Sequence, residues 1–158
     1  MHTQGQAQAT IGARLCENPS VSAARPLRRT FPGEPGQVAT VRNFIRRYLS
    51  GRHCPAAVVQ DILVCASELA TNAVLHSRSG LPGGHFSVRI AICGRQGVCV
   101  VVEDAGGPWA GHGTSDRDAE CGRGLHVVSE LSDDMRVTGD ASGRMAWFRS
   151  SWSAAEGD

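Results

Sequence analysis

Glu68-Leu69-Ala70-Thr71-Asn72-Ala73-Val74-Leu75-His76 is the stretch on which the reading of the chain turns. Glu68, Asn72 and His76 recur at steps of four and project from one face of a helix. Beside them Leu69 and Ala73 continue an apolar stripe begun by Val58, Ile62, Cys65 and Ala66. A carboxylate, an amide and an imidazole are therefore stacked along one side of a helix whose other side is built for a core. An amide carbonyl is a hard oxygen donor of the kind Mg²⁺ accepts when phosphate oxygens and waters complete its octahedron. A carboxylate one turn away can orient or deprotonate an attacking hydroxyl. The pairing fits phosphoryl transfer, and a solvated polar helix face is the plainer reading of the same row.

Outward from this helix, Pro55 can open it at the first turn, and the Ser79-Gly80-Leu81-Pro82-Gly83-Gly84 stretch ends it after about Ser77. Upstream, Pro26 to Phe31 reads as a short edge strand. After the turn-like Phe31-Pro32-Gly33-Glu34-Pro35-Gly36, residues Val38, Val41, Phe44, Ile45, Tyr48 and Leu49 mark an amphipathic helix that stops near Gly51. Downstream, Phe86, Val88, Ile90 and Ile92 alternate with Ser87, Arg89 and Ala91, the period of a half-buried strand. Gly94-Arg95-Gln96-Gly97 turns the chain into the β-branched run Val98 to Val102, which ends on Glu103-Asp104. A glycine-rich loop of about seventeen residues from Ala105 to Cys121 follows, a length that in compact domains usually signals function. A short helix from about Arg123 to Leu131 and two strands, near Met135 to Thr138 and Arg144 to Ser151, complete the chain. This order predicts an α+β fold: a two-layer sandwich in which helices cover one face of a mixed, mostly antiparallel sheet. Residues 1–24 read as a flexible tail, 25–152 as one folded domain, and 153–158 as a second short tail.

Composition narrows the function classes. The chain has 158 residues, with sixteen basic residues, all arginine, against fifteen acidic ones, for a formal charge of +1. That balance gives no electrostatic case for direct nucleic-acid binding or for an anionic membrane. No run of about 18 consecutive apolar residues is present, and the N-terminus lacks the basic start and apolar stretch of a secretory leader, so a soluble cytoplasmic protein is expected. Six scattered cysteines without a CxxC pair read as reduced thiols rather than disulfides or zinc ligands.

Two further stretches look out of place if packing is the only concern. Val101-Val102-Glu103-Asp104-Ala105-Gly106-Gly107-Pro108 delivers a carboxylate from an apolar strand into a glycine turn. Such a carboxylate can accept the amino proton of adenine, and glycine lets the backbone approach a flat base; a capped turn explains the same residues. Gly122-Arg123-Gly124-Leu125-His126-Val127-Val128 places glycines at the expected opening of a helix, where unsatisfied N–H groups suit phosphate oxygens; it also reads as an ordinary helix start. Neither GxxxxGK[ST] nor GxGxxG after a parallel strand occurs.

In this order and at these intervals, ELATNAVLH, VEDAGGP and GRGLHVV resemble the N, G1 and G2 boxes of the Bergerat-fold (GHKL) ATPases. The chain is most similar to the small bacterial anti-sigma-factor serine/threonine kinases over roughly residues 26–150. The resemblance implies ATP and Mg²⁺ as cofactors, with Asn72 holding the metal and Glu68 acting as base on a serine hydroxyl or water. It implies that Asp104 binds the adenine amino group, that Gly106 makes room for the base, and that Gly122, Gly124 and Leu125 present backbone amides to the phosphates. The 105–121 loop would be the ATP lid. His76 matches a frequent family histidine near the metal end and serves equally as a structural histidine. Implied partners are an anti-sigma-factor antagonist, a sigma factor and a second copy of the chain, with Val38, Val41 and Ile45 as interface or core residues. Two departures bear on activity. The G1 stretch reads Asp-Ala-Gly-Gly-Pro rather than Asp-x-Gly-x-Gly, and Glu120-Cys121 stand where the kinases often carry a basic lid residue, a role left to Arg117 or Arg123.

Overall fold

A computed structural model describes residues 25–107 and 116–153, with side chains outside 116–121. The expected tails up to residue 24 and beyond residue 153, the lid centre from Pro108 to residue 115, and the side chains of Arg117, Glu120 and Cys121 lie outside this description. Strand β1 (Leu27–Pro32) leads into helix α1 (Gln37–Leu49) and helix α2 (Ala56–His76). A single 3-10 turn at Arg78–Gly80 precedes the hairpin of β2 (His85–Ile92) and β3 (Gly97–Asp104). Helix α3 (Asp116–Leu131) and the hairpin of β4 (Asp134–Asp140) and β5 (Gly143–Ser151) follow. The sheet order is β1-β2-β3-β5-β4, and the four pairings among the described residues are all antiparallel, in keeping with the expected mostly antiparallel sheet.

The alternation in the strands sorts the two faces of the sheet. Phe86, Val88 and Ile90 from β2, Val98, Val100 and Val102 from β3, and Ala146 and Phe148 from β5 join the helices in one core cluster. Val41 and Ile45 are fully buried in that cluster, which makes them core; of the three residues offered to an interface only Val38 stays partly exposed. On the opposite face Val101, Met145 and Trp147 form a small second cluster, with Trp147 only 2% exposed. Phe31 locks the edge strand to the helical layer, stacked on Phe86 at 5.6 Å and edge-on to Phe44 at 5.8 Å.

Helix α2 is long and apolar enough, with a hydropathy of 1.4 in its best 18-residue window, to cross a bilayer by length and composition. In this fold its apolar residues serve the core: Ile62, Leu63, Cys65, Ala66, Leu69, Ala70 and Ala73 are all buried. Cys65 is inert in this setting, its thiol pushed up to about 12 by burial first and by the nearby Asp61 and Glu68 carboxylates next.

Helix α3 starts at Asp116, not near Arg123, so six residues expected in the loop are helical. Asp116-Arg117-Asp118-Ala119-Glu120 contains no glycine or proline to stop a helix, and Ala and Glu favour one. Gly122 and Gly124 thus stand inside the helix instead of opening it.

Two outcomes are expected. Phe31→Ala, which removes a ring packed against two others, lowers unfolding free energy by about 3–5 kcal/mol in urea titrations. Because only the thiolate reacts, iodoacetamide at neutral pH modifies the half-buried Cys54 in native protein and reaches Cys65 only after unfolding, as peptide mapping will read.

Candidate functional site

The register of α2 sets the first half of the site. Its apolar stripe faces the sheet, which leaves Glu68 half-buried and Asn72, at 7% exposure, on the flank covered by α3. The two helices approach closely at Gly124. A Cβ on this residue would lie 2.7 Å from Glu68 Oε2 and 3.7 Å from Asn72 Oδ1, so glycine is what leaves space for the carboxylate. One turn on, the fully buried Val128 anchors α3 in the core beside Cys65. Gly122 and Arg123 are exposed, and Arg123 lies off the Gly124 flank. Since Gly122 is the seventh residue of α3, the N–H groups of Gly122, Gly124 and Leu125 belong to the helix ladder. The open amide cradle expected of these three residues is therefore not formed in this conformation. His76 is the last residue of α2, half-buried, one turn beyond Asn72.

The second half of the site grows from β3. Val98, Val100 and Val102 face the core, and the same alternation turns Asp104 inward at the strand end, where its side chain is 4% exposed. Asp104 Oδ1 accepts the Gly106 N–H at 2.8 Å. Its Oδ2 accepts two bonds from Arg144 of β5, from Nε at 2.9 Å and Nη2 at 2.8 Å. Arg144 is itself buried, at 6% side-chain exposure, and its Nη2 also reaches the Asn72 carbonyl on α2 at 3.4 Å. The carboxylate expected to read a base is thus already engaged by a guanidinium.

Gly106 has φ +67, and a Cβ there would lie 2.7 Å from the Asp140 carbonyl oxygen and the Gly143 nitrogen. Its need for glycine arises from the β4–β5 turn packed against it. The expected role of making room for a flat base is additional to that constraint. Arg78 clips the same turn in place: its N–H donates to the Gly106 carbonyl at 2.7 Å, and its guanidinium donates to the carbonyls of Ala105, at 3.1 Å, and Ala141. The Ser79 hydroxyl accepts the Ala105 N–H at 2.9 Å.

Leu69, Asn72, Val102, Asp104, Leu125, Val137, Arg144 and Ala146 enclose the cavity between these two halves. Its volume is about 10 Å³, room for about one water molecule. The side-chain donors suit a purine nucleotide and a hard cation: a carboxylate for an exocyclic amine at one end, an amide oxygen beside a second carboxylate at the other. The free volume does not admit a purine in this conformation. Of the residues that the sequence singles out, Asn72, Asp104 and Leu125 line this cavity and Glu68 lies beside Gly124 at its flank; Arg144 in the cavity wall, and Arg78 and Ser79 around the turns, are missed. Arg144 had a signal, an arginine on the same face of the strand as Ala146 and Phe148, two and four residues on.

Known proteins share sequence and fold with this chain. Residues 31–150 match the family described as histidine kinase-like ATPase domain. The serine-protein kinase RsbW of Bacillus velezensis is 29% identical over 119 residues, 68% of this chain and 74% of that protein. Its namesake from Bacillus licheniformis is 27% identical over 131 residues, 75% of this chain and 81% of that protein. Among solved structures, the RsbU and RsbW domains of Rv1364c from Mycobacterium tuberculosis superpose with a TM-score of 0.65 at 23% identity. That match covers 81% of this chain and 32% of the larger one. The SiaB–SiaC complex of Pseudomonas aeruginosa gives a TM-score of 0.55 at 15% identity, over 95% of this chain and 99% of the matched one. At these identities the two structures speak for the fold alone, whereas the match over residues 31–150 shows that the chain belongs to the histidine kinase-like ATPase domain family.

Proposed function

We propose that this chain is an ATP-dependent protein serine kinase of the anti-sigma-factor type, which phosphorylates a small antagonist protein and, in the absence of that antagonist, holds a sigma factor. The observation that carries the reading is the pair on α2, Glu68 one turn before the buried Asn72, with Gly124 leaving space for the carboxylate. Holding a nucleotide needs the amide; taking a proton from a serine hydroxyl needs the carboxylate as well. In this reading Asp104 receives the adenine amino group, Asn72 holds Mg²⁺ and Glu68 takes the proton of the incoming hydroxyl. Mg²⁺, when bound, supplies charge neutralisation at the phosphates. The serine-protein kinase names of relatives at 27–29% identity support the same assignment. The small cavity requires the site to open before nucleotide enters.

A second reading keeps the nucleotide and drops the transfer: a binding module whose partner affinity follows ATP. Two observations favour it. Glu120-Cys121 occupy the place of a basic lid residue, and Gly122 to Leu125 lie within helix α3. Fixed cations around the transferring phosphoryl group carry much of the rate in this chemistry, so their loss slows turnover while binding persists.

Incubation with γ-labelled ATP, Mg²⁺ and the antagonist encoded by a neighbouring gene separates the two. Label moves to the antagonist in the first reading, and Glu68→Ala slows transfer by about 10²–10⁴-fold. No transfer by wild type, together with ATP-dependent partner binding that Glu68→Ala leaves untouched, establishes the second. Nucleotide binding itself is read by thermal unfolding: at about 100 times its dissociation constant Mg²⁺-ATP stabilises the fold by about 2.7 kcal/mol, and Asn72→Ala removes most of that shift.

A further inference from the structure

Arg144 has no part in the site as read from the motifs, yet it lines the cavity and bridges its two sides. Its guanidinium saturates Asp104 Oδ2 with two short charge-assisted bonds and extends from there to the main-chain carbonyl of Asn72 on α2, spanning the gap between the sheet and the helix. The two residues it joins are those assigned to the base end and the metal end of the nucleotide. Both ion-pair partners are almost wholly removed from solvent, so the contact holds at an undiminished local dielectric advantage and is little screened by salt. With Arg144 in this position the cavity that it lines together with Leu125 measures about 10 Å³, and a fused purine ring is many times larger than the single water that fits there.

We infer that Arg144 is a latch on the base pocket: nucleotide binds only when the guanidinium leaves Asp104, so this side chain sets the affinity of the site. The inference rests on the nucleotide reading proposed above. Adenine offers Asp104 one amino group, a neutral donor, in exchange for a charged donor making two bonds. The purine therefore displaces Arg144 at a cost, and the apparent affinity falls by the fraction of molecules in which the latch is open. A side chain that merely supported the site would have the opposite effect, since its removal would weaken nucleotide binding along with stability.

The experiment compares wild type with Arg144→Thr and Arg144→Lys by titrating a fluorescent adenine nucleotide with Mg²⁺ and competing it with ATP, alongside thermal melts. Threonine keeps a hydroxyl donor for Asp104 without crossing the gap. Lysine keeps the charge and loses the two-bond contact. The expected result is at least about tenfold tighter binding for Arg144→Thr and an intermediate gain for Arg144→Lys, even where melting temperature drops. Arg144→Lys carries the test if the threonine variant does not fold. Measurable binding by wild type that is unchanged or weakened in the folded variants overturns the latch and leaves the nucleotide reading standing. An absence of binding by all three proteins at millimolar nucleotide overturns both.

Discussion

The packing of α2 against the sheet is the constraint from which the rest follows. Ala66, Ala70 and Ala73 are fully buried and carry no bulk beyond Cβ, which lets the helix backbone lie close to the strands, while Ile62 and Leu69 fill the space beside them. Glu68 and Asn72 ride on the same helix, each one residue before a member of that stripe, Leu69 and Ala73. Their position is therefore fixed by apolar burial and owes little to polar contacts of their own. The same economy holds at β3, where three inward valines set the phase that turns Asp104 inward. Both halves of the site are by-products of core registration, and only their approach to each other depends on polar groups.

Much of this was legible in the sequence because it rests on local periodicity. The stripe of α2, the amphipathic α1, and the alternation in β2 each reveal which face is buried without knowledge of any partner. The features that escaped depend on non-local pairing. In β5 the two faces carry Met145 and Trp147 on one side and Ala146 and Phe148 on the other, so apolar content did not tell which side met the helices. Arg144 shares the helix-facing side, and the register that sets it opposite Asp104 joins residues forty positions apart. Gly106 was read through a ligand, whereas its left-handed backbone is already required by the β4–β5 turn, which comes from a distant part of the chain. The start of α3 lies earlier than expected because two glycines read as helix punctuation, whereas Gly124 sits inside the helix against the tip of the Glu68 side chain.

The Asp104–Arg144 pair also bears on how the fold is held. Two charges removed from water gain little net stability over an apolar pair of the same size, since desolvation offsets most of their attraction. Losing either partner alone is a different matter, for it strands a charge in the interior at a cost of about 3–5 kcal/mol. The pair therefore fixes geometry at the mouth of the cavity more than it adds to overall stability. Arg78, which binds the carbonyls of Ala105, Gly106 and Ala141 from outside, holds the two turns around that mouth together through main-chain acceptors.

Among the described strands β1 lies at the rim of the sheet, which bears on how molecules of this protein meet. A terminal strand offers unpaired main-chain groups to any neighbour, and Pro32 at its end withholds one donor. Arg28 and Arg29 follow one another along it and point to opposite faces, Arg28 toward Glu103 and Arg29 over the Phe31 ring, so zippering of two identical rims about their midpoint would set guanidinium against guanidinium on each face, where like charges repel. Ribbon-like growth from molecule to molecule is thereby discouraged, and fibril seeding meets a barrier built from two side chains.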